Sequence, residues 1–180
     1  MRIISGQWRG RGILAPKGET TRPTADRTRE ALFSMLQSRL GSFHGLRVAD
    51  LFAGSGALGL EALSRGAAIC TFVEQDRQAL DALRKNAAAL NAEVDIRSQS
   101  ATTLPPASEP YDLILMDPPY GTGAGQVVLD RCQRLGWIGP ESLVSIETGR
   151  AETVSLSGFH VDAERIHGKA KITLLRPDVQ

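Results

Sequence analysis

A glycine-rich segment between a strand-like run and a helix-like run constrains the fold of this chain more than any other feature. Apolar residues 46–52 precede it and helix-like residues 60–66 follow it. The segment, residues 53–59, reads Ala53-Gly54-Ser55-Gly56-Ala57-Leu58-Gly59. Its G-x-G-x-x-G spacing permits a tight turn, a close approach of the backbone to a ligand, and close packing of a helix on a strand. Glu74, twenty residues after Gly54, ends a second apolar run, where a carboxylate can accept both hydroxyls of a ribose. The pattern predicts an α/β unit that binds an adenosine-containing cofactor.

The choice of cofactor depends on Asp50, which lies just before the glycine-rich segment. A dinucleotide would bring its pyrophosphate to this loop, and the Asp50 carboxylate would repel it. S-adenosylmethionine carries no phosphate, and it offers an ammonium to Asp50 and a carboxylate to the helix N-terminus after Gly56. The alternative is that Asp50 only caps the turn that follows its strand. We expect S-adenosylmethionine and no metal, with the cofactor held by Asp50, Ala53, Gly54, Ser55, Gly56, Gly59, Glu74 and Gln75.

A second motif, Asp117-Pro118-Pro119-Tyr120, follows directly after the apolar run at residues 111–116. Two prolines cannot continue a strand, so the run predicts a buried parallel strand whose carboxyl end, the ligand-binding end of such sheets, carries the tetrapeptide. The exocyclic amine of a nucleobase is a poor nucleophile because its lone pair is delocalised into the ring. Asp117 and the Pro118 carbonyl could accept its two N–H groups, while Tyr120 stacks on the flipped base. An ordinary turn after a core strand is the alternative.

Two features near the tetrapeptide admit two interpretations each. Residues 121–125 have the composition of a mobile loop that could fold over a substrate, or of a simple flexible connection to the next helix. Glu147 ends a predicted strand, and it could face the site or pair with a nearby backbone or basic group.

These motifs lie in the order and rough spacing of the amino-group methyltransferases that use S-adenosylmethionine. Further segments match a narrower family: residues 2–11, Arg22-Pro23-Thr24, Arg29-Glu30-Ala31-Leu32-Phe33 and residues 50–67. On these segments the chain resembles the bacterial 16S ribosomal RNA guanine-N2 methyltransferase family. The resemblance implies in-line methyl transfer from S-adenosylmethionine to the N2 amine of a guanine in small-subunit ribosomal RNA. It also implies that the catalytic residues are Asp117, Pro118 and Tyr120.

One position departs from the pattern of that family. After the third predicted strand such enzymes usually place an acidic residue that accepts a hydrogen bond from the adenine amine, and this chain has Ser100-Ala101. A serine hydroxyl accepts more weakly than an anion. We therefore expect Ser100 and Ala101 at the adenine, with a weaker contact than the family pattern implies.

Basic side chains are concentrated at the N-terminus. The chain has a formal net charge of only +1, yet residues 1–29 carry seven basic side chains against two acidic ones, a local charge of +5. Such a segment is typical of a surface that contacts phosphates, although an ordinary solvated hairpin is the alternative. Trp8 adds a surface for stacking. We predict that an extension formed by residues 1–40 contacts RNA through Arg2, Trp8, Arg9, Arg11, Arg22 and Arg29.

The alternation of apolar and helix-like runs predicts an α/β fold, a Rossmann-like seven-stranded methyltransferase sheet preceded by a small basic hairpin and a helix. Residues 1–180 are predicted to form a single domain. The hairpin arms are expected at residues 2–5 and 12–15, and Thr24 is a candidate N-cap. The strands are expected at residues 46–52, 69–73, 94–97, 111–116, 143–147, 159–165 and 171–175, and the helices at residues 24–38, 60–65, 76–91 and 126–135.

Composition argues against several other classes of protein. The chain has no apolar run long enough to span a bilayer and no signal peptide, so we expect a cytoplasmic protein without a membrane partner. Cys70 and Cys132 lack the spacing of metal ligands and are expected to be small buried thiols. The expected partner is small-subunit ribosomal RNA within a ribosomal subunit or an assembly intermediate. Two alternatives remain open: an adenine-N6 methyltransferase acting on DNA, and a non-catalytic RNA-binding or assembly factor.

Overall fold

The structure, a computed structural model, describes residues 1–17 and 23–179, with no side-chain detail at residues 23 and 24. Arg22, with its predicted RNA contact, lies outside the described residues, and so does the side chain of Thr24, the predicted N-cap. In chain order the elements are α1 (Pro23–Leu40), β1 (Arg47–Leu51), α2 (Ala57–Ser64), β2 (Ile69–Glu74), α3 (Arg77–Ala89), β3 (Asp95–Ser98), β4 (Tyr111–Met116), α4 (Ala124–Arg134), β5 (Ile138–Gly149), β6 (Phe159–His167) and β7 (Ala170–Pro177).

All seven strands join one sheet in the order β3-β2-β1-β4-β5-β7-β6, which confirms the predicted seven-stranded α/β architecture. Strands β1 to β5 run parallel, and β7 runs antiparallel to both of its neighbours. Because β1 pairs with β2 on one side and β4 on the other, the winding of the sheet reverses there. Strand β5 begins earlier than predicted, because Ile138 pairs with Tyr111 beyond a register shift.

The helices cover both faces of the sheet, as the alternation of elements predicted. Successive residues of a strand point to opposite faces, so Val48 of β1 packs with Leu60 of α2, whereas Ala49 packs with Val128 of α4. Helix α1 lies on the same face as α2 and α3 and buries Leu32, Phe33, Met35 and Leu36. Cys70 and Cys132 are buried free thiols, as expected.

The N-terminal arm, defined here as residues 1–17, contains the predicted hairpin in a short form. An antiparallel bridge pairs Arg2 with Gly12, and the Ile3 and Ile13 N–H groups donate to the Arg11 and Met1 carbonyls, each at 2.9 Å. Other amides of the arm donate to side chains of the helices: the Ile4 N–H donates to a glutamate of α2 and the Leu14 N–H donates to an asparagine of α3. The arm is therefore joined both to itself and to helices α2 and α3.

Candidate active site

The predicted cofactor and catalytic residues meet at the carboxyl edge of the parallel strands. Leu51 near the end of β1 is paired with Val73 of β2 on one side and with Met116 of β4 on the other. The glycine-rich segment that follows β1 therefore lies between Glu74, which ends β2, and Asp117, which follows β4. In open α/β sheets this reversal point is where ligands bind.

The glycines of the glycine-rich segment allow the tight turn and the close helix packing that their spacing predicted. Gly54 and Gly56 have positive φ values of 57° and 86°, a region that L side chains rarely adopt. Gly59 leaves no room for a side chain, since a Cβ there would lie 2.4 Å from the ring of Phe72. Helix α2 consequently packs directly against β2. A positive φ of 61° at Phe52, a non-glycine residue, marks the sharp exit of the chain from β1.

Glu74 joins the end of β2 to the glycine-rich segment. Its Oε1 accepts the Gly54 N–H at 2.8 Å, and its Oε2 accepts the N–H groups of Gln75 and Asp76, each at 2.8 Å. These three bonds orient the carboxylate at the site and restrain the loop that follows β1. That Glu74 accepts hydrogen bonds from the ribose hydroxyls stays a prediction. The structure adds that the Glu74 carboxylate is already oriented by main-chain N–H groups.

Asp50 is a buried carboxylate, and its side chain is 1% exposed. Its Oδ2 accepts the Gly59 N–H at 2.9 Å, while its Oδ1 has no hydrogen-bond partner within the described part of the chain. Burial is the main cause that raises the pKa of Asp50 to about 8; the hydrogen bond from the Gly59 N–H opposes the shift, and the nearby Glu74 carboxylate adds to it. The Oδ2 atom of Asp50 therefore holds the first turn of α2 through the Gly59 N–H. The Oδ1 atom remains available to a cation.

Ser100 lies after β3 in a short turn, beside the other strand ends. Its Oγ accepts the Thr102 N–H at 3.2 Å and lies 2.7 Å from the Thr102 hydroxyl, so the side chain caps the turn. Ala101 is buried beneath it. The Gln99 N–H donates to the Glu74 carbonyl at 3.1 Å, which connects this turn to β2. The predicted adenine contact of Ser100 and Ala101 is not tested by these bonds.

The tetrapeptide presents Asp117 and Tyr120 at the surface and buries Pro118. Tyr120 is 47% exposed. Partial burial, then the carboxylates of Glu147 and Asp117, raise the pKa of the Tyr120 hydroxyl, which also hydrogen-bonds Glu147. Glu147 follows Ile146, which is paired with Met116 of β4. Of the two interpretations of Glu147, the structure supports the one in which it faces the site.

Glu152, which no sequence pattern indicated, holds the loop after the tetrapeptide. Its Oε1 accepts the Gly121 N–H at 2.9 Å and its Oε2 accepts the Gly149 N–H at 2.5 Å. The Lys171 ammonium donates to the main-chain carbonyl of Glu152. Helix α4 begins soon afterwards, with Gly123 in a left-handed conformation as its N-cap. The loop is therefore a short connection attached to the end of β5, which favours the second of its two interpretations.

The arginines predicted to contact RNA fall into two groups. Arg2, Arg9 and Arg11 are exposed on the N-terminal arm, with Arg11 donating to the Ala89 carbonyl at 2.8 Å. Arg29 differs from the prediction, because its side chain is only 6% exposed and its guanidinium donates to the carbonyl of Arg2. It lies 3.6 Å from Asp26. Arg29 therefore supports the arm from beneath, and we assign it no phosphate contact.

Trp8 is half-buried rather than free on the arm. Its side chain packs against the core cluster beside α2. The main-chain N–H of Trp8 donates to the Ser64 hydroxyl at 3.0 Å. Part of the ring is therefore used to fix the arm on the protein, which reduces the surface that remains for stacking on a base.

The described residues include neither a cluster of metal ligands nor a helix that could span a membrane. Residues 1–17 and 23–179 contain no group of three or more His, Cys, Asp or Glu side chains that could hold a metal ion. Within the same residues, no helix is both long and apolar enough to cross a bilayer.

Comparisons with known proteins find one family that matches nearly the whole chain. The family described as conserved hypothetical protein 95 matches residues 1–176. Ribosomal RNA small subunit methyltransferase D of Escherichia coli is 41% identical over 151 residues, which cover 82% of this chain and 74% of that protein. The solved structure of the Escherichia coli protein yhhF superposes with a TM-score of 0.87 at 36% identity, covering 100% of this chain and 99% of that one.

The fold also extends to distant methyltransferases. Magnesium protoporphyrin IX methyltransferase from Synechocystis, solved with bound S-adenosylmethionine, has a TM-score of 0.68 at 14% identity and covers 88% of this chain and 86% of its own. The predicted Rossmann-like methyltransferase fold is thereby confirmed. The resemblance noted in the sequence is confirmed as well, and the chain belongs to the ribosomal RNA small subunit methyltransferase D family.

Proposed function

We propose that this protein transfers a methyl group from S-adenosylmethionine to the exocyclic N2 amine of a guanine in small-subunit ribosomal RNA. The observation that carries the proposal is the adjacency of two strand ends: β1 delivers the glycine-rich segment and β4 delivers Asp117 at the same edge. The name of the Escherichia coli relative supports the class of substrate. Ribosomal RNA within a subunit or an assembly intermediate is then the partner, and the cytoplasm is the compartment.

The residues at this edge fit the proposed cofactor. The Asp50 Oδ1, buried and without a hydrogen-bond partner among the described residues, suits the ammonium group of S-adenosylmethionine. Glu74 would accept from the ribose, and Ser100 with Ala101 would contact the adenine. When bound, this cofactor supplies a methyl group that is already activated by the positive charge on its sulfur. The protein then mainly has to align the nucleophile.

Alignment of the amine is the role proposed for the tetrapeptide. Asp117 accepts one N–H of the amine and the Pro118 carbonyl accepts the other, which orients the nitrogen lone pair towards the glycine-rich segment. Tyr120 stacks on the flipped base. The methylated amine is acidic as it forms, so its proton can leave to water.

Glu147 favours guanine over adenine as the base. The guanine edge carries the N1–H donor next to the N2 amine, whereas adenine has an unprotonated N1 beside its N6 amine. An ionised carboxylate only accepts hydrogen bonds, so a second carboxylate beside Asp117 suits two adjacent donors and repels a ring nitrogen that also accepts. This observation supports the guanine-N2 reaction over the adenine-N6 alternative.

A methyl-transfer assay separates the three candidate functions. Small ribosomal subunits from cells that lack the protein are incubated with the purified protein and labelled S-adenosylmethionine, and the RNA is digested to nucleosides. N2-methylguanosine supports the proposal. N6-methyladenosine supports the adenine alternative, and RNA binding without any methylated nucleoside supports a non-catalytic assembly factor.

Asp50 is expected to release about one proton at pH 7 when S-adenosylmethionine binds. With its pKa raised to about 8, the carboxyl is mostly protonated at pH 7, and the cofactor's ammonium favours the charged form. Calorimetry in buffers of different ionisation enthalpy measures this release. The release should disappear above about pH 9 and in the Asp50→Asn variant. Binding without proton release at pH 7 would contradict the assignment.

The same raised pKa gives the cofactor-free protein a definite pH dependence. Between about pH 4 and pH 8 the folded protein keeps a proton on Asp50 that the unfolded chain has already lost. The contribution of Asp50 to the free energy of unfolding therefore falls as the pH rises through this window. Urea unfolding of the wild type and of Asp50→Asn across that range measures the difference.

Residues 1–40 are proposed as the RNA-contacting extension of a single domain formed by residues 1–180. If Arg9, Arg11 and Arg22 contact phosphates, alanine at all three should weaken RNA binding similarly for all sequences and lower the salt slope by about one unit per lost contact. Filter binding at several salt concentrations measures the slope. Arg134→Ala, which removes an exposed charge from α4, is the control. An unchanged slope in the triple variant would show that the arm is ordinary surface.

A further inference from the structure

Asn86 of α3 contacts both the N-terminal arm and the glycine-rich segment. Its Oδ1 accepts the Leu14 N–H at 2.7 Å, and its Nδ2 donates to the Leu14 carbonyl at 2.9 Å. The same Nδ2 also donates to the Ser55 carbonyl at 3.0 Å. The Asn86 side chain is 2% exposed. One buried amide thus joins a main-chain unit of the arm to a main-chain carbonyl of the cofactor loop.

The arm is also fastened to α2, the helix that begins within the glycine-rich segment. Glu61 is fully buried and accepts the N–H groups of Ile4 and Ser5 at 2.7 and 3.1 Å. The Ser64 hydroxyl donates to the Ser5 carbonyl at 2.7 Å. These contacts fix the first half of the arm. The second half is fixed by Asn86, whose side chain, unlike these two, also reaches the glycine-rich segment.

The chemistry of the amide makes the two contacts depend on each other. A carboxamide has one acceptor oxygen and two N–H donors, and here its oxygen and its nitrogen are both engaged with the main chain. If Leu14 leaves, Asn86 loses two of its three bonds and its rotamer is no longer held. The buried Ser55 carbonyl then loses its donor, which is costly in a site closed to water. The conformation of the glycine-rich segment and the seating of the arm are therefore linked.

We propose that Asn86 is a positioning residue that couples the seating of the N-terminal arm to the cofactor-binding conformation of the glycine-rich segment. The coupling is reciprocal by thermodynamic necessity, so a bound cofactor also favours the seated arm. This inference rests on the proposed function for the nature of its two ligands: S-adenosylmethionine at the segment and RNA on the arm.

The decisive test changes the arm and measures the cofactor. Leu14→Pro removes the N–H that Asn86 accepts, whereas Leu14→Ala keeps that N–H and is the matched control. Leu14 is 55% exposed, so neither variant removes a buried side chain. Binding of S-adenosylmethionine is measured by calorimetry without RNA, and hydrogen exchange is measured at the amides of residues 54–56.

We expect Leu14→Ala to leave the cofactor dissociation constant unchanged, Leu14→Pro to raise it about fourfold, and Asn86→Ala to raise it about tenfold. In the Asn86→Ala background Leu14→Pro should add less than about twofold, since coupled residues are not additive. Hydrogen exchange at the amides of residues 54–56 should be faster in Leu14→Pro than in the wild type. In Leu14→Ala it should be unchanged. Equal cofactor affinity in Leu14→Pro and Leu14→Ala would overturn the coupling.

The test remains distinct from a test of the function. Methyl transfer to ribosomal subunits is measured separately with the wild-type protein. If the wild-type protein transfers no methyl group but the two Leu14 variants differ in cofactor affinity as expected, the proposed function alone is overturned. Transfer with no difference between the two Leu14 variants would overturn this inference alone.

Discussion

Asp117→Ala is expected to abolish nearly all methyl transfer, a loss of about a thousandfold or more, whereas Asp117→Asn should keep a measurable rate. Asparagine retains a carbonyl oxygen that accepts from the amine, but it cannot take up a proton. The methylated amine is acidic as it forms and can lose its proton to water afterwards. Alignment of the amine should therefore matter more than basicity at this position.

Single-turnover rates on small ribosomal subunits distinguish alignment from proton removal. Cofactor affinity should stay intact in both variants, because Asp50 and Glu74 lie on other strands and keep their main-chain partners. Thermal unfolding provides the control for folding. Equal and complete inactivity of the two variants, with folding and cofactor binding preserved, would show that Asp117 acts as a base.

Glu74→Ala should weaken the binding of S-adenosylmethionine by about 2 to 3 kcal/mol, the scale of losing charge-assisted hydrogen bonds. Two effects combine in this loss. The ribose loses its acceptor, and the amides of Gly54, Gln75 and Asp76 lose the carboxylate that holds them. Glu74→Gln keeps one acceptor oxygen and should lose a smaller share of the affinity.

Calorimetry with two ligands tests this prediction and the identity of the cofactor together. S-adenosylmethionine should bind the wild type, and NADH should not compete with it, because NADH offers no ammonium group to the buried Asp50 carboxyl. Tight binding of NADH with none of S-adenosylmethionine would overturn the assignment. Unchanged S-adenosylmethionine affinity in Glu74→Ala would remove Glu74 from the cofactor site.

Much of the fold could be predicted because its signals are local. Strand β4 occupies the predicted residues 111–116, since an apolar run followed by two prolines has few other conformations. The three glycines stand where positive φ values or close helix packing require them. Asp50, Glu74 and Asp117 could be grouped at one edge because the carboxyl ends of parallel strands always share an edge. The attachment of the arm to α2 and α3 and the burial of Arg29 could not be predicted in this way.

The sequence alone determined the order of strands and helices, the glycine-rich segment and the residue types at the strand ends, because these depend on side-chain patterns within short windows. Only the tertiary structure decided how Asn86 joins Leu14 to Ser55, how Glu152 holds Gly121, and why Arg29 lies beneath the arm. The physical reason is that these side chains bond main-chain N–H and C=O groups from 27 to 72 positions away. Almost every residue carries such groups, so no pattern of residue types marks the partner in advance.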